Sequence, residues 1–177
     1  MRFVRILSAA ALASVLAQPA VAQSVAKPIV APPAVSSPDA WTVAPDPARG
    51  LVQIGKTAAD GRTTFTGGCN SLYDPGFSGT ISRYNGTGLQ RSGGQIERVL
   101  FEIDGEGWKE AFSAQLRYVA SSNSWEIAKV LAPVFVNSFS RGGTLTVRNA
   151  AREKVMSFDL TGSSAAARTM RSVCGFP

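Results

Sequence analysis

The sequence predicts an α+β domain: a mainly antiparallel β-sheet, or a partial barrel or sandwich, with two short helices in its C-terminal third. Short runs of β-branched and aromatic residues, separated by Gly, Pro, Asn and Asp, fill residues 41–127 and predict strands. Apolar residues recur at three- and four-residue spacing in residues 132–141 and 163–173, which predicts helices. Strands and helices do not alternate along the sequence, so an antiparallel sheet is favoured over a parallel one.

Residues 1–22 predict a secretory signal peptide. Arg2 and Arg5 supply its charged start, Ile6–Ala17 its apolar stretch, and Ala20–Ala22 a small-residue cleavage site. The apolar stretch is shorter than the roughly 20 residues that cross a bilayer. We therefore expect cleavage, no transmembrane span in the mature chain, and a periplasmic or secreted protein.

Residues 23–40 predict an extended linker, because they are rich in Ala, Val, Ser and Pro. The remaining residues, 41–177, predict a single globular domain. A domain of this length buries a substantial core without further support.

The predicted strands are each bounded by turn residues. They are Trp41–Val43, Leu51–Ile54, Thr63–Thr66, Thr80–Tyr84, Gly88–Gln90, Val99–Ile103, Trp108–Phe112, Ala114–Ala120, Ser124–Ile127, Thr144–Val147 and Lys154–Leu160. The strongest turn signal is Asn85-Gly86, since both residue types tolerate the positive φ that a tight hairpin requires. It predicts that Thr80–Tyr84 and Gly88–Gln90 pair as a hairpin.

Both helices have sequence signals at their ends. The first is predicted over about Ala132–Arg141, with Pro133 in its first turn and Gly142 as its stop. The second is predicted to be capped by Ser163 and to end before Gly175.

Cys69 and Cys174 are the only cysteines, an even number in a chain predicted to be exported. They predict a single disulfide that ties the end of the chain to its first third. A redox or nucleophilic cysteine is the alternative, and it requires a neighbouring base or resolving cysteine.

Composition excludes several classes of function. The chain has no histidine, which rules out Ser-His-Asp and Cys-His catalysis and histidine-based zinc sites. Its 18 Lys and Arg against 12 Asp and Glu give a net charge of +6, but the basic residues form no dense tract, so we expect no nucleic-acid partner. No motif predicts a metal site or a cofactor.

Acidic side chains concentrate in residues 97–110, where they are Glu97, Glu102, Asp104, Glu106 and Glu110. A facing pair of carboxyl groups is what glycoside hydrolysis requires, so a histidine-free glycan hydrolase is one hypothesis. The alternative is that these charges are solvated around a hairpin turn at Asp104–Gly107.

Four aromatic residues on the predicted strands form the candidate binding surface: Tyr84, Trp108, Tyr118 and Trp125. Exposed rings and sheet edges both favour the binding of a peptide or protein. The alternative is that alternation along the strands buries these rings in the core.

Residues 131–174 resemble the C-terminal half of small exported proteobacterial proteins of the invasion-associated locus B type. The resemblance rests on Arg141-Gly-Gly143, the strand Thr144–Val147, the strand ending Ser157–Leu160, and Thr161 through Cys174. Separately, Gly68-Cys69-Asn70 is similar to the Gly-Cys-Asn motif of META domains. Both resemblances imply a β-rich, non-catalytic envelope protein, and the first implies a link to host-cell entry.

Taken together, these patterns favour a non-enzymatic exported accessory or binding module of the cell envelope, whose partner is a protein or another envelope component. The glycan hydrolase remains the alternative hypothesis.

Overall fold

The computed structural model of the chain describes residues 40–71, 74–128 and 131–176. The strands are β1 Thr42–Asp46, β2 Leu51–Thr57, β3 Thr64–Asn70, β4 Asp74–Ser82, β5 Ile96–Gly105, β6 Trp108–Val119, β7 Ser124–Ile127, β8 Thr144–Arg148 and β9 Lys154–Asp159. The helices are α1 Val134–Arg141 and α2 Ser163–Cys174. The predicted signal peptide and almost all of the predicted linker lie outside the described residues.

The strands form one sheet in the order β1-β2-β3-β4-β7-β6-β5-β8-β9, and each neighbouring pair is antiparallel. The sheet curls into a half-barrel with both helices near the C-terminus. The predicted fold class and the positions of the two helices are therefore confirmed.

The core lies between the sheet and the helices. Alternate residues of the strands face the helices, as the two-residue period of a strand requires. The fully buried phenylalanines are Phe65, Phe77, Phe101 and Phe158 from the sheet and Phe135 and Phe139 from α1. Gly67 makes room for two of these rings, because a Cβ there would lie 2.6 Å from Phe77 and 2.7 Å from Phe65.

The two outer edges of the sheet approach each other. The indole Nε1 of Trp41, just before β1, donates to the carbonyl of Asp159 at the end of β9 over 3.0 Å. The Ala59 amide, in the β2–β3 turn, donates to the carbonyl of Ser157 in β9 over 3.2 Å. These bonds connect the two ends of the sheet without a continuous ladder between β1 and β9.

The predicted hairpin at Asn85-Gly86 is wrong. Strand β4 already has β3 on one side and β7 on the other, so it leaves no edge for residues 88–90 to join. The chain instead forms a loop over 83–95 that begins with Arg83 at a φ of 59°. Within it, the Gly88 amide donates to the Tyr84 hydroxyl over 3.0 Å, so the loop folds around the tyrosine ring.

The predicted cap of the second helix is also wrong. The cap residue of α2 is Gly162, with φ 82°, and no side chain caps the helix. Ser163 is the first helical residue, and its buried hydroxyl donates to the carbonyl of Phe139 over 2.7 Å. This serine therefore joins α2 to α1 instead of satisfying the first amides of its own helix.

Cys69 in β3 and Cys174 at the end of α2 form the predicted disulfide, with the sulfur atoms 2.06 Å apart. Both residues are buried. The bond fixes the end of α2 against the sheet across a sequence separation of 105 residues. Within the described residues, no helix is both long and apolar enough to cross a membrane.

Removing this disulfide is expected to destabilise the domain strongly. The chain-entropy model assigns about 4–5 kcal/mol to a cross-link that closes a loop of this length. Urea denaturation of the C69A/C174A double variant should show a free energy of unfolding lower by an amount of that order. An unchanged transition midpoint would contradict the expectation, and chemically reduced wild-type protein provides the control.

The β2–β3 turn is held by Asp60. One carboxylate oxygen accepts from the amides of Arg62 and Thr63, each at 2.8 Å, and the other accepts from the Thr63 hydroxyl. Partial desolvation raises the pKa of this carboxyl, but the hydrogen bonds from Thr63 and Arg62 outweigh it, and the pKa is lowered overall.

A lowered pKa in the folded state means that ionised Asp60 stabilises the fold at neutral pH, and that this contribution is lost as the pH falls through the folded-state pKa. The stability difference between wild type and Asp60→Asn should therefore shrink between about pH 5 and pH 2. Urea titrations at several pH values measure it. A difference that is constant with pH would show that the carboxylate charge makes no contribution.

Candidate binding site at the open edge of strand β6

The four aromatic residues of the predicted binding surface do not form one surface. Tyr84 is only 6% exposed and Trp125 is fully buried, so the expectation that these two rings lie on an exposed surface is wrong. Trp108 and Tyr118 are partly buried and pack against the core. None of the four is fully exposed.

Trp125 is buried because of its position in the sheet. Strand β7 lies between β4 and β6, and Trp125 is on its core-facing side, opposite Ile81 on one strand and Tyr118 on the other. The rings of Tyr84 and Tyr118 lie 5.6 Å and 5.0 Å from it. Its indole Nε1 donates to the carbonyl of Gln90, so the polar end of this ring is satisfied as well.

Trp108 lies at the opposite end of β6 from this cluster. It is ten positions from Tyr118 along the extended strand, a distance of about 33 Å. The guanidinium of Arg141, at the end of α1, lies 5.1 Å from the centre of the Trp108 ring. This stacking shields one face of the indole and leaves the residue partly buried.

The clustered carboxylates divide between the two faces of the sheet. Glu102 and Asp104 lie on the outer face of β5, where the Lys109 ammonium is 3.8 Å and 2.9 Å from them. Glu102 also pairs with Arg148 at 2.5 Å. The hydrogen bond and the charge of Asp104 raise the pKa of Lys109.

Glu110 lies on the other face, because it is directly opposite the buried Ile103. It accepts a hydrogen bond from the Ser138 hydroxyl and lies 3.8 Å from Arg141. Glu106 is exposed in the β5–β6 turn. Glu97 accepts from the Gln90 amide over 2.9 Å.

This arrangement does not favour the glycan hydrolase. A catalytic pair has to face one cleft at about 5–10 Å. Glu102 and Asp104 are neighbours on the outer face of the sheet. Lys109 forms salt bridges with both, and Arg148 forms one with Glu102. Within the described residues, no group of three or more Cys, Asp or Glu side chains is arranged to hold a metal ion.

Strand β6 has an open edge that the sequence analysis did not identify. It is paired with β5 over residues 108–117, whereas β7 covers only residues 116–119. The Gln115 carbonyl accepts from the Ala128 amide over 2.7 Å and therefore points away from β5. By alternation, the backbone N–H and C=O groups of Lys109, Ala111 and Ser113 point the same way.

Lys109 and Ala111 have no backbone partner on this side within residues 40–71, 74–128 and 131–176. We call this edge, Lys109–Ser113 with Leu131 and Ala132 across from it, the β6 notch. A groove of about 480 Å³ runs along it, lined by Ala111, Phe112, Ser113, Ala114, Gln115, Leu131 and Ala132.

Helix α1 closes the inner side of the β6 notch. Its Phe135 packs edge-on against Phe112 with 5.3 Å between ring centres. Val134, at the start of the helix, is 53% exposed, one of two large apolar side chains that the described residues expose to this degree. The notch thus combines unpaired backbone groups with accessible apolar surface.

One feature of the sequence indicates such an edge. The run that becomes β6 has 12 residues, whereas the following run that becomes β7 has four, so the second strand is too short to cover the first. Whether another strand covers the rest of β6 depends on the order of the strands in the sheet. The lengths of the β-prone segments do not determine that order.

Comparison of the chain with protein-family models, with curated proteins and with solved structures finds no match. The resemblance to the invasion-associated locus B type accordingly stays a prediction.

Replacing Trp125 and Trp108 separately should distinguish core from surface. Trp125→Ala removes a fully buried ring and should cost about 3–5 kcal/mol of unfolding free energy. Trp108→Ala loses a partly exposed ring and one cation–π contact and should cost distinctly less. Chemical denaturation of both variants measures the difference. Equal losses would contradict the assignment of Trp108 to the surface.

Proposed function

We propose that this chain is a non-enzymatic binding module that works outside the cytosol, in the periplasm or after secretion, and contacts a protein or another component of the cell envelope. The observation that carries the proposal is the β6 notch, where the backbone groups of Lys109 and Ala111 that point away from β5 have no partner among the described residues and lie beside an accessible groove. Exposed strand edges of this kind are a common means by which small β domains take up a partner.

Two further features support the proposal. The predicted signal peptide at residues 1–22 and the Cys69–Cys174 disulfide both fit an oxidising compartment. The disulfide also fixes the helical layer on the sheet, so a partner would meet a surface that changes little on binding.

A site-specific crosslink tests the proposal. A photoreactive amino acid at Ser113, whose side chain is exposed on β6, should form a discrete crosslinked product with one envelope component in the producing cell. The same amino acid at the exposed Arg168 on α2 provides the control position. Mass spectrometry identifies the product, and the amino terminus of the same material is expected at Gln23.

An assay of glycan hydrolysis provides the opposing outcome. Release of reducing ends from envelope polysaccharide by the wild-type protein, and its loss in the E102Q/D104N variant, would replace the binding module with the hydrolase. Absence of any crosslinked product at Ser113 would also count against the proposal.

A further inference from the structure

The β6 notch is an internal opening of the sheet, between β6 and β4. Where β7 lies between these two strands, they are two interstrand spacings apart, about 10 Å. Beyond β7, Leu131 exchanges both backbone hydrogen bonds with Phe77 of β4, at 2.8 Å and 2.9 Å. From Leu131 the chain follows β4 and turns into α1 after Pro133, so no described residue pairs with the edge of β6 at Lys109 and Ala111.

The position of the notch limits what can enter it. β5 lies on one side of β6, and β4 with Leu131 and helix α1 lies on the other, so the edge at Lys109 and Ala111 leaves room for at most one extended strand. A second copy of this domain would bring its own β4 and α1 against those of the first. The geometry therefore favours an extended peptide segment over a folded domain.

The charges around the notch define the peptide further. Of the residues that the structure describes, the seven that line the groove are all uncharged. A charged side chain inside it would lose hydration without gaining a partner, so the segment within the groove should be uncharged. The small side chains of Ala111, Ala114 and Ala132 leave room for apolar side chains of the peptide.

At the end of the notch nearest Trp108 lies a cation, Arg141, that is suited to binding a carboxylate. The Arg141 side chain is 62% exposed, and its nearest carboxylate oxygen, on Glu110, is 3.8 Å away, beyond ordinary hydrogen-bond distance. Stacking on Trp108 holds the guanidinium in place. Its planar N–H donors match a carboxylate group in geometry.

We propose that the β6 notch binds an extended polypeptide segment that adds a strand to β6 through the backbone of Lys109 and Ala111, is uncharged along the groove, and places a carboxylate at Arg141. This inference rests on the proposed binding function and specifies the partner of that same site. The carboxylate is an acidic side chain or the C-terminus of the partner.

A library of random twelve-residue peptides, displayed on phage, provides the probe. Panning on the mature, disulfide-bonded protein should enrich peptides with an uncharged run of about five residues next to a carboxylate. The best peptide is then synthesised with a free C-terminus, with an amidated C-terminus, and with Asn or Gln for each acidic residue. These forms identify which carboxylate Arg141 binds. Failure to enrich any such peptide overturns the inference.

Two variants at Ala111 test the strand addition. The side chain of Ala111 is exposed and its N–H points away from β5, so Ala111→Pro removes a donor of the notch without breaking a β5–β6 bond. Ala111→Thr keeps the donor and is the matched control. The peptide should bind at least tenfold more weakly to A111P than to A111T. Equal dissociation constants overturn the inference.

Two further measurements do not depend on the proline variant. Peptide binding to the wild-type protein should slow hydrogen exchange at the Lys109 and Ala111 amides, and unchanged exchange there overturns strand addition. Arg141→Gln should weaken the carboxylate form about tenfold and leave the uncharged form unaffected. An equal effect on both forms overturns the role of Arg141.

The outcome also separates this inference from the proposed function. If the envelope component crosslinked at Ser113 is captured equally by A111P and A111T, the binding module stands and strand addition is wrong. If no component is captured by either variant or by the wild type, the binding function itself fails.

Discussion

The constraint on which the rest of the structure depends is that the concave face of the half-barrel has to be covered. Alternation along the strands directs large apolar side chains to this face, among them Phe65, Phe77, Phe101 and Phe158. The sheet curls but its outer edges meet only through a few bonds, so it does not bury this surface by itself. The two helices fill the concavity with Phe135, Phe139 and the apolar side of α2.

Covering the face with helices explains two links that fix the last helix. Ser163 donates to the carbonyl of Phe139 and so holds α2 against α1. The disulfide from Cys174 to Cys69 holds the other end of α2 against β3. Both ends of the last helix are therefore fixed, and α1 packs beside α2 on the concave face of the sheet.

The sequence predicted the elements better than it predicted their neighbours. Local signals were sufficient for most of the strands, the two helices and the disulfide, because periodicity, Pro133, the C-terminal glycines and an even cysteine count act within short stretches or leave one pairing. The predicted strand Gly88–Gln90 is part of a loop instead. The hairpin at Asn85-Gly86 failed, since β4 has partners on both sides that come from elsewhere in the chain. Ser163 was likewise predicted wrongly from local sequence, because its hydroxyl donates to the carbonyl of Phe139, 24 residues away.

The candidate site shows the same limit in another form. Trp125 and Tyr84 were predicted for a binding surface because exposed aromatic rings on strands favour binding, but the sequence does not tell which side of each strand faces the helices. Trp108 was predicted on the same grounds and is partly exposed, since it lies at the end of β6 where the sheet stops. The open edge of the β6 notch depends on the order of the strands, so it can be identified only from the assembled sheet.

An open strand edge is a liability, since it can pair with other chains and aggregate. Here the edge of β6 is short, has Lys109 at one end and is recessed, with β4 and α1 across from it. These features protect it against a second folded copy, because such a copy cannot approach closely enough to form a ladder. They do not protect it against a single extended segment, and that selectivity is the property that a peptide-binding edge requires.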